Sequence, residues 1–358
     1  MLQVQTLHGE FPFFQRRFRL PNGSSSDYMH ATHQPSVSVG LQELGLYYLN
    51  RLSFHEVSGL VERLSGTRLA CEQTLWNWAE RAVAVLDAQL VAQAASAHEV
   101  PSPQIAESLN LYDATAEEVL VLTDAIGVKA QKPNRDKPGE PPTGKEAKRH
   151  DTDVLLLQKQ SGDFLYLMGS VNHAVSMVEV AQANLRLEWG RRETPLPVVA
   201  LTDGARTIRL DLLTLFGEGV TIILDWYHLE KRVYQNLSMV ARSRAERESW
   251  EKTVLAFLWS GQTKEALLFL STLSPRNAQA LSDLVGYLEK HSSEIIDYER
   301  RYATGKSIGS GRMEKAVDQV IGMRQKKKGM SWSKKGSQTL ATLKVAELNG
   351  QWRQLFAA

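Results

Sequence analysis

The chain has 358 residues, 43% hydrophobic and 23% charged, with a net charge of +2; this is ordinary globular composition with room for two or three domains. A near-neutral total means that any nucleic-acid signal must lie in how the charge is distributed. The single cysteine, Cys71, excludes intrachain disulfides and a thiolate zinc cluster, and no apolar run approaches the ~20 residues that span a bilayer or forms a signal-peptide core, so a cytoplasmic protein without membrane partners is expected.

Residues 3–23 alternate weakly and carry aromatics, which predicts a short hairpin ended by Pro21-Asn22-Gly23, and 24–36 reads as a polar loop. From 37 to 97 the pattern is helical. Phe54, Val57, Leu60, Val61 and Leu64 recur at helical spacing, Ser65-Gly66 breaks the run, and Leu69, Leu75, Trp76 and Ala79 begin another. Two short helices about a glycine-containing turn fit a helix-turn-helix, which offers its second helix to a major groove; they fit an ordinary helical hairpin equally well.

After Pro101 and Pro103 the period changes. Residues 118–130 are β-formers with no helical stripe and predict a strand. Residues 132–149 are rich in Pro, Gly and Lys and read as a loop; 153–158 and 164–168 flank Ser161-Gly162-Asp163 as a hairpin. A helix is expected at 175–186, then a strand at 197–202 ending at Asp203-Gly204, another helix, and a strand at 220–224 ending at Asp225. The sum is a mixed α/β sheet covered by helices. Residues 226–302 read as wholly helical with a turn at Ser274-Pro275, and 242–303 is too long for a connection, so it is expected to be an inserted helical subdomain. A helix at 337–354 closes the chain.

The densest signal lies at 307–332, SIGSGRMEKAVDQVIGMRQKKKGMSW. Glu314 follows a Gly-Ser-Gly turn and borders a stripe of Met313, Val317, Val320 and Ile321. Between 306 and 335 nine Lys and Arg oppose only Glu314 and Asp318, which makes Arg312, Arg324, Lys326, Lys327, Lys328, Lys334 and Lys335 the expected contacts to DNA phosphates. The plainer alternative is a solvated helix end. Asp124 interrupts an apolar strand, a costly place for a charge without a partner or metal. Asp203 ends the next strand, where ligands of open α/β sheets gather. Asp225 and His228, three residues apart, share a helical face. Plainer readings exist for each: turn chemistry for Asp203, an N-cap for Asp225, a first-turn dipole partner for Glu314 and a structural role for His228. Carboxylates with no thiolates favour a hard divalent ion, Mg²⁺ or Mn²⁺, and two such ions suit in-line phosphoryl displacement. No G-x-x-x-x-G-K-[ST] loop occurs, so no nucleotide cofactor is expected.

With those residues assembled, the chain resembles bacterial insertion-sequence transposases of the Kra group, related to the Mutator-type superfamily. The resemblance is carried by LYDATAEEVLVLTDAIGVKAQKP, LPVVALTDGARTIR, GVTIILDWYHLEKRV, EIIDYERR and SIGSGRMEKAVDQVIGMRQKKKGMSWSKKGSQTLATLKVAELNGQW, and covers about 111–355. It implies a DDE-type enzyme whose ribonuclease-H-like core takes 101–241 and 304–335. An all-helical insertion at 242–303, a helical DNA-binding region at 37–100 after a short β/loop segment at 1–36, and a C-terminal helix at 336–358 complete the expected organisation. By position, Asp124, Asp203 and Glu314 match the family's catalytic, metal-holding acids, and Asp225 and His228 match its accessory [C/D]-x-x-H motif. Ala125 stands where the family usually has glycine, and Asp113 competes for the first position; Asp124 is preferred because it lies within the apolar strand. Members of the group often carry a longer N-terminal region, and this chain begins at what resembles its end, as a shortened or split-frame copy would.

The activity implied is Mg²⁺-dependent cleavage of double-stranded DNA at the inverted repeats of an element and strand transfer into target DNA, by a homo-oligomer in the bacterial nucleoid. Two other classes fit the same residues: an inactive or domesticated DNA-binding derivative acting as a repressor, and a structure-specific repair nuclease.

Overall fold

Short aromatic-rich segments at the N-terminus pair locally, and the helical periodicity after residue 37 produces three helices, in a computed structural model that describes residues 2–6, 8–13, 17–19, 25–27, 37–131 and 148–356. β1 (Leu2–Thr6) pairs antiparallel with β2 (Gly9–Phe13), and β3 (Arg17–Arg19) with β4 (Ser25–Asp27). The single hairpin expected over 3–23 is therefore two pairs. Its Pro21-Asn22-Gly23 turn, the loop 28–36 and residues 132–147 of the basic loop lie outside the described residues.

α1 (Val39–Leu49) and α2 (Phe54–Ser65) precede α3 (Glu72–Ala97). Ser53 and Glu56 close a capping box on α2, which satisfies the free N–H groups of its first turn. Gly66, at φ 76, ends the helix in the left-handed conformation that glycine tolerates. α3 is not the short second helix expected: its apolar positions Leu75, Trp78, Ala79, Ala82, Val83 and Leu86 continue at helical spacing, and it runs for 26 residues.

The sheet is built from β5 (Val119–Lys129), β6 (Arg149–Gln158), β7 (Phe164–Leu167), β8 (Val198–Thr202) and β9 (Thr221–Leu224), with α4 (Met177–Trp189) before β8 and α5 (Arg206–Phe216) between β8 and β9. The strand order is β7-β6-β5-β8-β9. β6 and β7 are antiparallel, while β5 with β8 and β8 with β9 are parallel. β5 and β6 oppose one another, since Leu120 near one end of β5 donates to Gln158 at the far end of β6 (2.9 Å) and Ala130 donates to Lys148 (3.0 Å). Every residue of β8 is buried, the mark of a parallel strand covered on both faces.

Helices then dominate, as expected: α6 (Trp226–Val240), α7 (Arg244–Trp259), α8 (Thr263–Ser271), α9 (Ala278–Lys290) and α10 (Tyr298–Ala303). Trp226 meets the rings of Trp259 and Tyr298 at centroid distances of 4.8 and 5.0 Å. Arg301 is wholly buried, and its guanidinium forks onto Glu118 just ahead of β5 (3.0 and 2.7 Å). It also donates to the carbonyl of Ser307 (2.8 Å), while Lys306 adds a second cation to Glu118 at 3.3 Å.

α11 (Gly311–Val317) passes through a π turn at 318–322 into α12 (Met323–Gln325); α13 (Lys334–Leu348) and α14 (Trp352–Leu355) end the chain. The one closing helix expected at 337–354 is thus two. Ser333 caps α13 three residues earlier than expected, accepting from Gly336 (3.0 Å), and Gly350 at φ 73 breaks the run. By its internal contacts the chain forms two units: 1–90 with 127–150 and 319–358, and 91–126 with 151–318. Glu347 of α13 accepts from Asn50 (3.0 Å) and pairs with Arg51 and Lys344 inside the first unit. No helix among the described residues is long and apolar enough to cross a membrane.

Removing one member of a buried ion pair leaves the other uncompensated, at a cost of roughly 3–5 kcal/mol. Arg301→Ala should therefore lower the unfolding free energy by about that amount in urea denaturation. Adding Glu118→Gln to it should cost less than the two single changes summed, because they share one interaction.

Candidate active site

Parallel pairing sets the acids in a row. β5 pairs with β8 from Val119↔Val198 to Leu122↔Leu201, and β8 with β9 from Val199↔Thr221 to Thr202↔Leu224. Carried a step or two further, the same registers bring Asp124 level with Asp203, and Asp203 level with Asp225. Asp203 and Asp225 leave the sheet at the carboxyl ends of their strands, whereas β5 runs on past Asp124.

Asp124 is half-buried, and its Oδ1 accepts from the N–H of Ala125 (2.7 Å). Burial pushes its carboxyl above the usual range, and the negative charges of Asp203 and Glu314 push the same way; the Ala125 N–H and His228 oppose them. Asp124, Asp203, His228 and Glu314 therefore share one electrostatic environment. Asp113 stands apart from it: its carboxylate accepts from the N–H and hydroxyl of Thr115 (2.8 and 2.7 Å) in a local turn, and Lys306 is the charge it feels. Ala125 adopts no left-handed backbone, so nothing in the conformation at 125 requires glycine.

Asp124 and Asp203 line a cleft of about 420 Å³ together with Asp153 and Asp211. Burial raises the carboxyl of Asp153, with the charge of Asp151 adding, and burial raises that of Asp211, with Asp153 adding. Sequence reading passed over these two acids. The available signal was spacing: Thr207, Ile208 and Asp211 fall on one face of α5, and that face lines the cleft. A wall of carboxylates without thiolates is oxygen-donor chemistry suited to a hard divalent ion. Among the described residues, no three His, Cys, Asp or Glu side chains stand close enough together to hold one.

Asp225 is 1% exposed and caps α6, accepting the N–H of His228 at its Oδ1 (3.0 Å). Its Oδ2 accepts the N–H of Ser310, in the turn that opens the helix of Glu314. Its own N–H reaches the carbonyl of Thr202, the residue before Asp203 (2.8 Å). The N-cap reading is therefore met, and the carboxylate also fastens a second segment. Burial alone would raise its pKa, but the hydrogen bonds from His228 and Ser310 more than offset this and hold it at about 2. His228 Nδ1 lies 3.5 Å from Asp225 Oδ1, too long for a hydrogen bond. Contact with Asp225 raises the His228 pKa, against burial, with Asp203 and Glu314 adding.

The expected DNA-contacting cations divide. Lys326, Lys327, Lys328 and Lys334 are exposed, with Lys327 donating to the carbonyl of Arg51 (3.0 Å), and Lys335 pairs with Glu80. Arg312 lies over the ring of Phe164, 4.6 Å from its centroid. Arg324 is a correction. It is 3% exposed, donates to the carbonyl of Leu49 (2.8 Å), sits over the Trp332 ring at 4.9 Å, and burial holds its pKa down to about 10. It cannot reach a phosphate without leaving this packing. The sequence carried the warning, because Arg324 follows Val320 and Ile321 by four and three residues and continues their buried stripe.

A scan against protein-family models and a search of curated proteins returned no match to this chain.

A carboxyl held at about 2 in the folded chain, against ~3.8 unfolded, contributes about 2 kcal/mol that is fully present above ~4 and is lost as pH falls toward 2. Asp225→Asn should forfeit it, since two N–H groups face the two side-chain atoms and an amide NH₂ must meet one of them. In metal-free urea titrations, wild type should exceed the variant by about that amount at pH 6, and the gap should close toward pH 2.

Proposed function

We propose that the protein is a DDE-type transposase that cleaves DNA at the ends of an insertion sequence and joins them to target DNA. The observation that carries this reading is the convergence of Asp124, Asp203 and Glu314 on one electrostatic environment beside an acid-lined cleft. Their spacing in sequence is large, and the sheet register is what brings the first two level. A five-stranded mixed sheet with its first strand central, an antiparallel hairpin on one side and two parallel strands on the other supports a ribonuclease-H-like core. The four helices between 244 and 303 support an all-helical insertion ahead of the last acid.

Asp124, Asp203 and Glu314 do not stand close enough in the metal-free chain to hold an ion together; drawn closer, they would hold Mg²⁺ or Mn²⁺, two ions in all, which would supply Lewis-acid activation of an attacking oxygen and stabilisation of the leaving one. The rest falls to the chain itself. Asp225 sets the turn from which Glu314 projects and, through Thr202, the strand end from which Asp203 projects. Lys326, Lys328 and Lys334 offer exposed charge to phosphates. Lys334, exposed, stands in the first turn of α13, the end of a helix where the dipole disfavours cations, while Lys335 beside it is paired with Glu80. A cation placed there against the dipole, as Lys334 is, is better explained by a polyanionic partner than by helix stability. On α3, Gln73, Asn77 and Arg81 expose amide and guanidinium groups at helical spacing, the side chains that read base edges in a major groove.

Glu314→Gln removes a charge from an exposed side chain and should abolish Mg²⁺-dependent cleavage of end-containing DNA while leaving DNA affinity nearly unchanged. Normal cleavage by that variant would sink the assignment, and wild-type binding without nicking would identify a DNA-binding derivative instead. Lys326→Ala with Lys328→Ala should weaken binding to all sequences alike and flatten the dependence of log K on log salt by roughly 2.

A further inference from the structure

Two buried polar side chains, braced by an exposed arginine, lie at the turn after β8 without belonging to the row of acids. His291 and Glu294, at the end of α9 and just beyond it, are 2% and 3% exposed. Nδ1 of His291 lies 2.6 Å from Oε2 of Glu294, and Oε1 of Glu294 pairs with Arg209 of α5. The other edge of the imidazole faces Gly204. A Cβ built on Gly204 would lie 2.8 Å from His291 Cε1 and 3.1 Å from Nε2, with Leu224 Cδ1 at 3.0 Å. The same segment takes both backbone groups of Leu224: its N–H donates to the carbonyl of Glu294 (3.0 Å), and its carbonyl accepts from the hydroxyl of Tyr298 (2.8 Å).

We infer that His291, oriented by Glu294 and Arg209, is a positioning residue for Asp203, and that the helical stretch 226–303 serves as the scaffold that aims this acid. Buried ions are poor sources of stability compared with apolar packing of the same volume, so cohesion alone does not account for the buried His291–Glu294 pair. A carboxylate on one imidazole nitrogen fixes the plane and direction of the ring. Here the fixed ring edge fills the space beside Gly204 and leaves the Thr202-Asp203-Gly204 turn, at φ +85 on the glycine, one way to lie. Within that turn Ala205 N–H donates to Asp203 Oδ1 (2.9 Å), so the protection of this amide proton reports the carboxylate's orientation. The role assigned to Asp203 rests on the reading above; the packing against it does not.

The test is hydrogen exchange at the Ala205 amide in the metal-free full chain, comparing wild type with His291→Ala and His291→Asn. Asparagine keeps a donor near the Nδ1 position for Glu294 and lacks the ring edge, so it guards against a misfolded alanine variant. Both variants, at wild-type Tm, should exchange the Ala205 proton about tenfold faster or more. Exchange within about twofold of wild type in the folded variants would overturn the inference. On end-containing DNA with Mg²⁺, His291→Asn should lower kcat by roughly 10–100-fold with KM for DNA unchanged. A raised KM with normal kcat would also overturn it. If wild type cleaves no DNA, the transposase reading fails while the exchange rate still decides the role of His291.

Discussion

The arrangement of the site depends on a single buried carboxylate. Asp225 lies where β9 gives way to α6, and three directions meet at it. Its N–H holds the end of β8, one oxygen caps α6, and the other holds the turn before Glu314. Its two oxygens each meet an N–H, which is why so deeply buried an acid keeps its charge. The Asp-x-x-His spacing thus has a geometric explanation: the aspartate acts as a joint between two chain segments that carry acids, and the histidine supplies the backbone N–H that completes the cap.

Charge buried elsewhere in the same unit follows the same rule. Glu118 with Arg301 stands at the entry of β5, and Glu294 with Arg209 and His291 stands beside the exit of β8. Each is satisfied by directed partners, and each sits close to an end of a strand that carries or precedes an acid of the row. Apolar side chains fill the middle of the sheet, as in β8, where Val198, Val199, Ala200 and Leu201 are all at or below 1% exposure. Apolar packing is non-directional and supplies cohesion; hydrogen-bonded ions supply direction at a cost in desolvation. The division places direction at the strand ends, beside the acids of the row.

Much of this was readable from the chain, for reasons that can be stated. Strands were recognised where β-formers run without a helical stripe, so β5 was located to within a residue at each end, and Asp124 and Asp203 stood out because charge is rare in such runs. The reading went astray where two physical signals overlapped. Arg324 sits inside a run of cations, and composition outweighed the helical period that buries it. Asp153 and Asp211 look like solvated residues in sequence and become cleft-lining ones only when β6 and α5 are brought together. His291 and Glu294 were invisible for the same reason: nothing local distinguishes them from a helix end, and their meaning comes from Gly204, far away in the chain.

The bond between Arg301 and Glu118 also bears on how the chain acquires its fold. It joins residues 183 apart in sequence, so the charge at the head of the first core strand has no Arg301 to meet until nearly the whole helical stretch has been made. Loop closure over that span must come before the contact can reward it, which slows folding relative to local helix pairing. During synthesis the strands would emerge early and the helices after them, leaving sheet edges open in the interval, a state in which chains of this size are prone to misassociate. Arg301 therefore acts as a late fastener, and the order of elements along the chain makes completion of the sheet wait on the last of the helices.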